Sequence, residues 1–159
     1  MQQATGTLGV WQHMEKLPGG KWLFSRLLCV KAPYFSSIRP RFEELRPDYC
    51  RARMSKRRAV LNHIGTVHAI AMCNMAELTG GAMTEVTVPP SHRWIPKGMT
   101  VEYLQKATTD LVAVATPESV PDWSAAGEYK VRVAVRDQKD ALVFQAVITM
   151  WVTPKRTAN

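Results

Sequence analysis

A chain of 159 residues, 46% hydrophobic and 21% charged, has the length of one ordinary domain and is too apolar to stay disordered. No run approaches the ~18 uninterrupted apolar residues of a membrane span. Three widely spaced cysteines (Cys29, Cys50, Cys73), with no Cys-x-x-Cys, argue against a disulfide framework or structural zinc and for a reducing, cytoplasmic setting. The net charge of +8 draws anions: nucleic acid, acidic membrane surfaces, acidic carrier proteins or phosphorylated cofactors.

Residues 1–6 show no basic stretch leading into an apolar run, so no secretory signal is expected. Over residues 8–17, Val10, Trp11, Met14 and Leu17 are spaced like one helix face, and Pro18-Gly19-Gly20 stops it. Trp22, Leu23, Phe24, Leu27, Leu28 and Val30 predict a second short helix, ended by Pro33. The pair reads as a cap on the domain; Glu15 and the short length argue against a membrane-surface anchor. The division is therefore a helical extension over 1–33 and a main domain over 34–159. Strands are predicted over 34–45 and 49–54, with Arg46-Pro47-Asp48 turning between them. In the second, Cys50, Ala52 and Met54 alternate with Tyr49, Arg51 and Arg53, giving one basic face. Arg39, Arg41, Arg46, Arg51, Arg53, Lys56, Arg57 and Arg58 crowd this region, either as a solvated face or as a phosphate-binding rim.

Next comes the loop Asn62-His63-Ile64-Gly65-Thr66-Val67-His68-Ala69, running into an apolar helix predicted over 66–78, with Thr66, or else Asn62 or Gly65, as N-cap and Gly80-Gly81 as stop. Within it Glu77 is a lone acid. Burying a charge is costly unless it is paired or used, and burial would raise its pKa towards the range of a base working near neutrality. Nine residues separate His68 from Glu77. At 100° per residue this puts Glu77 on the opposite helix face, about 13 Å further along. One subunit is therefore not expected to bring both groups to one reacting carbon, whereas a two-fold dimer with antiparallel helices is. His63 and His68, five apart, fit a metal pair poorly, and no metal is expected.

The remainder reads as strands: a short one over 84–88, then 99–106, 111–116, 128–136 and 141–152. The last is apolar on both faces, as for a strand central in its sheet or covered by a partner. One apolar helix without a second apolar layer must be wrapped by the sheet itself. The predicted class is α+β: a curved antiparallel sheet around one long central helix, the hotdog fold, with extra N-terminal helices.

The spacing carries a resemblance. The chain resembles hotdog-fold acyl-CoA thioesterases of the phenylacetyl-CoA thioesterase type, and more closely a branch of that superfamily. The motif there is an amide residue, a short glycine-containing loop, His-Gly-Gly, then an acid on the central helix. Asn62 stands six residues before His68 and Glu77 nine after it, with Gly65 in the loop. Tyr103 to Leu111 resembles the strand-turn-strand that follows, and the resemblance covers roughly residues 39–153. His68-Ala69-Ile70 departs from His-Gly-Gly; alanine keeps the backbone N–H, while its methyl narrows the acyl pocket.

The resemblance implies an acyl-CoA or acyl carrier protein thioesterase acting at a dimer interface, in a homodimer, a dimer of dimers or a trimer of dimers, with no cofactor beyond the coenzyme A of its substrate. Its implied site is Asn62 and His68 from the loop, the Ala69 N–H as oxyanion donor, and Glu77 of the partner as base or nucleophile. Arg57, Arg58, Arg93 and Lys97 are the candidates for the nucleotide phosphates. An acyl-CoA-binding or sensing protein without turnover is the alternative. Nucleic-acid binding is disfavoured because no basic-aromatic interleaving accompanies the charge. An enoyl-CoA hydratase is disfavoured because its Asp-x-x-x-x-His pairing is absent.

Overall fold

The computed structural model describes residues 6–120 and 122–155. Two helices open it, α1 (Thr7–Met14) and α2 (Gly20–Lys31). Between them Gly19 takes a left-handed φ of 73°, and a Cβ on Gly20 would fall 1.7 Å from the Met14 carbonyl oxygen. Only glycines let the chain double back so tightly. Trp11, Phe24 and Phe42 then meet edge to face, with centroids 5.0, 5.5 and 6.4 Å apart, and seat both helices in the main core.

The expected strand over 34–45 starts late. Pro33–Ile38 is a 3-10 segment, because Pro33 presets a helical φ and the Arg39 N–H closes on the Ser36 carbonyl at 3.2 Å. Strand β1 (Arg41–Arg46) pairs antiparallel with β2 (Tyr49–Met54). Cys50, Ala52 and Met54 are buried while Arg51 and Arg53 face outward, as the alternation predicts.

The central helix α3 (Ala69–Thr87) runs through Gly80-Gly81 instead of ending there, and the short strand expected over 84–88 is its last turn. A Cβ on Gly80 would lie 2.8 Å from Ile148 Cδ1 and 3.4 Å from Val131 and Val133. This glycine lets the helix lie close on the sheet and is not a stop signal. The hydroxyls of Thr79, Thr84 and Thr87 donate to carbonyls four residues back at 2.7, 2.8 and 2.7 Å, so they are satisfied inside the helix.

Four strands follow: β3 (His92–Tyr103), β4 (Leu111–Pro117), β5 (Gly127–Arg136) and β6 (Leu142–Pro154). The strand expected over 99–106 begins seven residues earlier, at His92, and ends at Tyr103. The six strands form one antiparallel sheet in the order β1-β2-β4-β5-β6-β3. It packs on the α3 face made by Met72, Met75, Ala76, Thr79, Gly80 and Met83, all buried. This is the hotdog arrangement. β6 is interior to the sheet: Phe144, Ala146, Ile148, Met150 and Val152 are buried, and Trp151 on the other face is partly exposed. No described helix is long and apolar enough to cross a membrane.

Candidate active site

The loop before α3 is a small hairpin braced by Asn62. Its Oδ1 accepts from the N–H groups of Ile64 and Thr66 at 3.2 and 3.1 Å, and its Nδ2 donates to Thr66 Oγ1 at 2.8 Å. Gly65 supplies the turn with φ 78°. The Asn62 amide is thus largely used by its own loop, with one Nδ2 hydrogen left over. The hairpin is pinned to the core where Val67 N–H meets the Ala107 carbonyl and His68 N–H the Val60 carbonyl, both at 2.8 Å.

His68, not Thr66, is the N-cap of α3. Its Nδ1 accepts from the Ile70 N–H at 3.0 Å, which leaves the ring proton on Nε2, at an exposed position. The Ala69 N–H, at the first helical position, has no partner among the described residues. An orphan N–H at the positive end of a 19-residue helix is a ready donor to a developing oxyanion.

Glu77 is exposed, contrary to the expectation of a buried charge. It lies mid-helix on the one face of α3 that the sheet leaves uncovered, a stripe running Ile70, Asn74, Glu77, Gly81 and Glu85. The apolarity of residues 70–78 concealed this, because most of those side chains serve the other face. Glu77 stands about 12 Å along the axis from Ala69, so one protomer does not unite them. Among the described residues it has neither an ion pair nor a hydrogen bond, whereas Glu85, two turns on, accepts the Trp94 indole N–H at 2.9 Å.

Two hollows follow this stripe. The smaller, about 260 Å³, adjoins His68, Ile70 and Asn74, under Tyr34 and Ser37. Asn74 donates to Ser37 Oγ at 3.0 Å, while its Oδ1 is buried without a partner among the described residues. The larger, about 720 Å³, is walled by α1, α2 and the 3-10 segment on one side and by Glu77, Leu78, Ala82 and Trp94 on the other.

The four candidate phosphate ligands fall into two groups. Arg57 and Arg58 flank the start of α3, through the Arg58–Val60 turn that His68 bonds. Arg93 and Lys97 lie on β3 by its far end, where Trp94 touches Gly81 and Glu85. Arg93 donates to Thr153 Oγ1 at 3.1 Å, and Lys97 pairs with Glu128 at 2.8 Å over the Trp151 ring. Arg57 has different company: burial first, then the charges of Arg39 and Arg26, push its guanidinium below the usual range. It donates to the Ser37 carbonyl, and Arg26 to the Pro40 carbonyl at 2.9 Å, so both are tied to the segment that carries Arg39. Sequence reasoning missed Arg26, because it lies on α2, far from the basic run, and no local signal links them.

The family model described as a domain of unknown function (DUF4442) matches residues 20–152. The chain belongs to the DUF4442 family. A structural-genomics protein, APC5556, is 50% identical, with a TM-score of 0.82 over 94% of this chain and 98% of that one. PA5026 of Pseudomonas aeruginosa, a protein of unknown function described as a probable thioesterase, is 24% identical, with a TM-score of 0.72 over 87% and 97% of the two chains. The thioesterase HI1161 of Haemophilus influenzae is 16% identical, with a TM-score of 0.71 over 80% and 87%. At 24% and 16% the likeness is one of fold: this DUF4442 chain has the hotdog fold of thioesterases. No curated protein matches it.

Proposed function

We propose that this DUF4442 protein hydrolyses an acyl thioester at a site shared by two subunits. Glu77 carries the reading: an unpaired carboxylate on the open face of the central helix, beside an apolar groove and within a thioesterase fold. An exposed acid without a counter-charge contributes little to stability, and its position beside apolar walls suits it to a chemical role.

In this reading the thioester carbonyl oxygen points at the Ala69 N–H of one subunit, where the helix dipole polarises it. Glu77 of the other subunit removes a proton from the attacking water, or attacks the carbonyl carbon itself; the thiolate leaves and takes up the proton. Asn62 holds the loop in shape and offers its remaining Nδ2 hydrogen to the water. The His68 Nε2–H is a second donor near the thioester. Arg57, with Arg26 and Arg39, receives the phosphates of coenzyme A or of a carrier's phosphopantetheine arm. Arg93 and Lys97 serve the same anion from the other subunit.

The second copy fits the sheet edge. β3 ends the sheet, is exposed along most of its twelve residues, and presents Ile95, Met99 and Tyr103 to solvent. Long apolar edge strands are normally covered. Two copies related by a two-fold axis would set each α3 start against the other's Glu77.

The test is thiol release from a panel of acyl-CoAs. Glu77→Gln should lower the rate by about 10²- to 10⁴-fold; equal rates would remove Glu77 from the mechanism. Acyl-CoA binding without turnover is the second reading, favoured by the Ala69 methyl where the resembling family has glycine. Tight binding with no thiol release at any chain length would establish it.

A further inference from the structure

The larger groove has a feature that thioester cleavage does not require. Two of its wall residues are apolar side chains without a packing partner among the described residues: Val10 of α1 and Leu27 of α2 are each about half exposed and both face it. Opposite them lie Leu78, Ala82 and Trp94. Solvent-facing leucine and valine on the inner wall of a 720 Å³ groove point to an apolar ligand, in the size range of small-molecule sites.

We propose that this groove takes the acyl chain of the thioester, a straight medium-length chain, and that α1 and α2 set the preference by forming its outer wall. Three observations favour that occupant. The groove includes Glu77, so a chain attached to a carbonyl beside Glu77 enters it directly. Its charged lining, Glu77 and Glu85 against Lys31, carries two acids to one base, a balance that favours a neutral acyl chain over a free fatty acid. Its length along α3, from Glu77 to Glu85, is about 12 Å. An extended chain advances about 1.2 Å per bond, the reach of an extended backbone, so about ten carbons fill it. Gly81 lies between the two acids in the floor, and its missing side chain keeps the floor low.

The catalytic arm of the test rests on the thioesterase reading, and the binding arm does not. For the wild type, kcat/KM over acyl-CoAs of two to sixteen carbons should rise about three- to fourfold per methylene and level off near ten. Gly81→Leu, whose side chain would grow towards Trp94, should move that optimum to shorter chains. Leu27→Asp, at a half-exposed position on the outer wall, should depress the long-chain rates without disturbing the buried core. A profile flat in chain length, or one that neither variant moves, overturns the groove assignment while leaving thioester hydrolysis standing.

Calorimetry with S-decyl-CoA and S-methyl-CoA, thioethers that cannot be cleaved, separates the two claims. Decyl binding at least a hundredfold tighter than methyl in the wild type, lost in both variants, supports the groove even if no thioester is hydrolysed. Equal binding of the two thioethers sinks it.

Discussion

The indole N–H of Trp94 donates to Glu85 at 2.9 Å, and this bond separates the two acids on the open face of α3. Glu85 is anchored, whereas Glu77, two turns earlier in the same stripe, has no such partner among the described residues. The difference predicts opposite phenotypes. Glu85→Ala should keep thioester hydrolysis and lose up to about 1 kcal/mol of stability with its exposed bond. Glu77→Gln should lose hydrolysis and leave the unfolding midpoint within about 0.5 kcal/mol of wild type, as for an unpaired surface group. Paired thiol-release and urea-denaturation measurements check both.

The arginine cluster makes a prediction about the carrier. With Arg26 and Arg57 both changed to Gln, KM for an acyl-CoA should rise about tenfold, at up to about 1 kcal/mol per solvent-accessible contact. The rise should shrink towards none with an acyl-pantetheine, which lacks phosphates, and in 1 M salt, where screening is short-ranged. An equal rise for both substrates would mean that the cluster shapes the site and binds no phosphate.

The two central glycines should part company. A Cβ on Gly80 meets Ile148 Cδ1 at 2.8 Å in a packed core, whereas one on Gly81 meets only Trp94, at 3.4 Å. Helix propensity favours alanine by about 1 kcal/mol at either position, and overpacking costs about 1–3 kcal/mol. Gly81→Ala should therefore stabilise the protein by up to about 1 kcal/mol, and Gly80→Ala should destabilise it by about 1 kcal/mol. Chemical denaturation of the two variants reads the difference.

Tyr129 gives a pH signature. Burial, and then the charge of Asp48, push its hydroxyl from 10 up to about 12. Folding thus favours the neutral form. The contribution is whole below pH 10 and is lost as pH climbs towards 12. Tyr129→Phe should flatten the fall in stability between pH 10 and 12, measured by thermal melts across that window.

The hotdog core was legible because its determinants are local. Alternation wrote β2 and β5 plainly, and the long apolar run before Gly80 announced one central helix. What misled were residues whose role depends on distant neighbours. Gly80 read as a stop because Ile148, Val131 and Val133, which require it, lie far along the chain. Tyr34 to Ile38 read as the start of a strand, and the Arg39 backbone bond decided otherwise. At the site, the order Asn62, His68, Glu77 was visible, but not that the loop uses up most of the Asn62 amide, nor that Glu77 faces outward. Arg26 reaches Arg57 only through the fold of α2 over the 3-10 segment, which no sequence spacing encodes.

The central claim is that each reaction centre draws Glu77 from one chain and the α3 start from another. Mixing Glu77→Gln with His68→Ala, both impaired alone, tests it by subunit complementation. A random mixture of two-fold dimers puts one unaltered site into each heterodimer, so thiol release should return to about one quarter of the wild-type rate. Activity that stays at the level of the parent variants, with mixed dimers demonstrably present, would contradict the account.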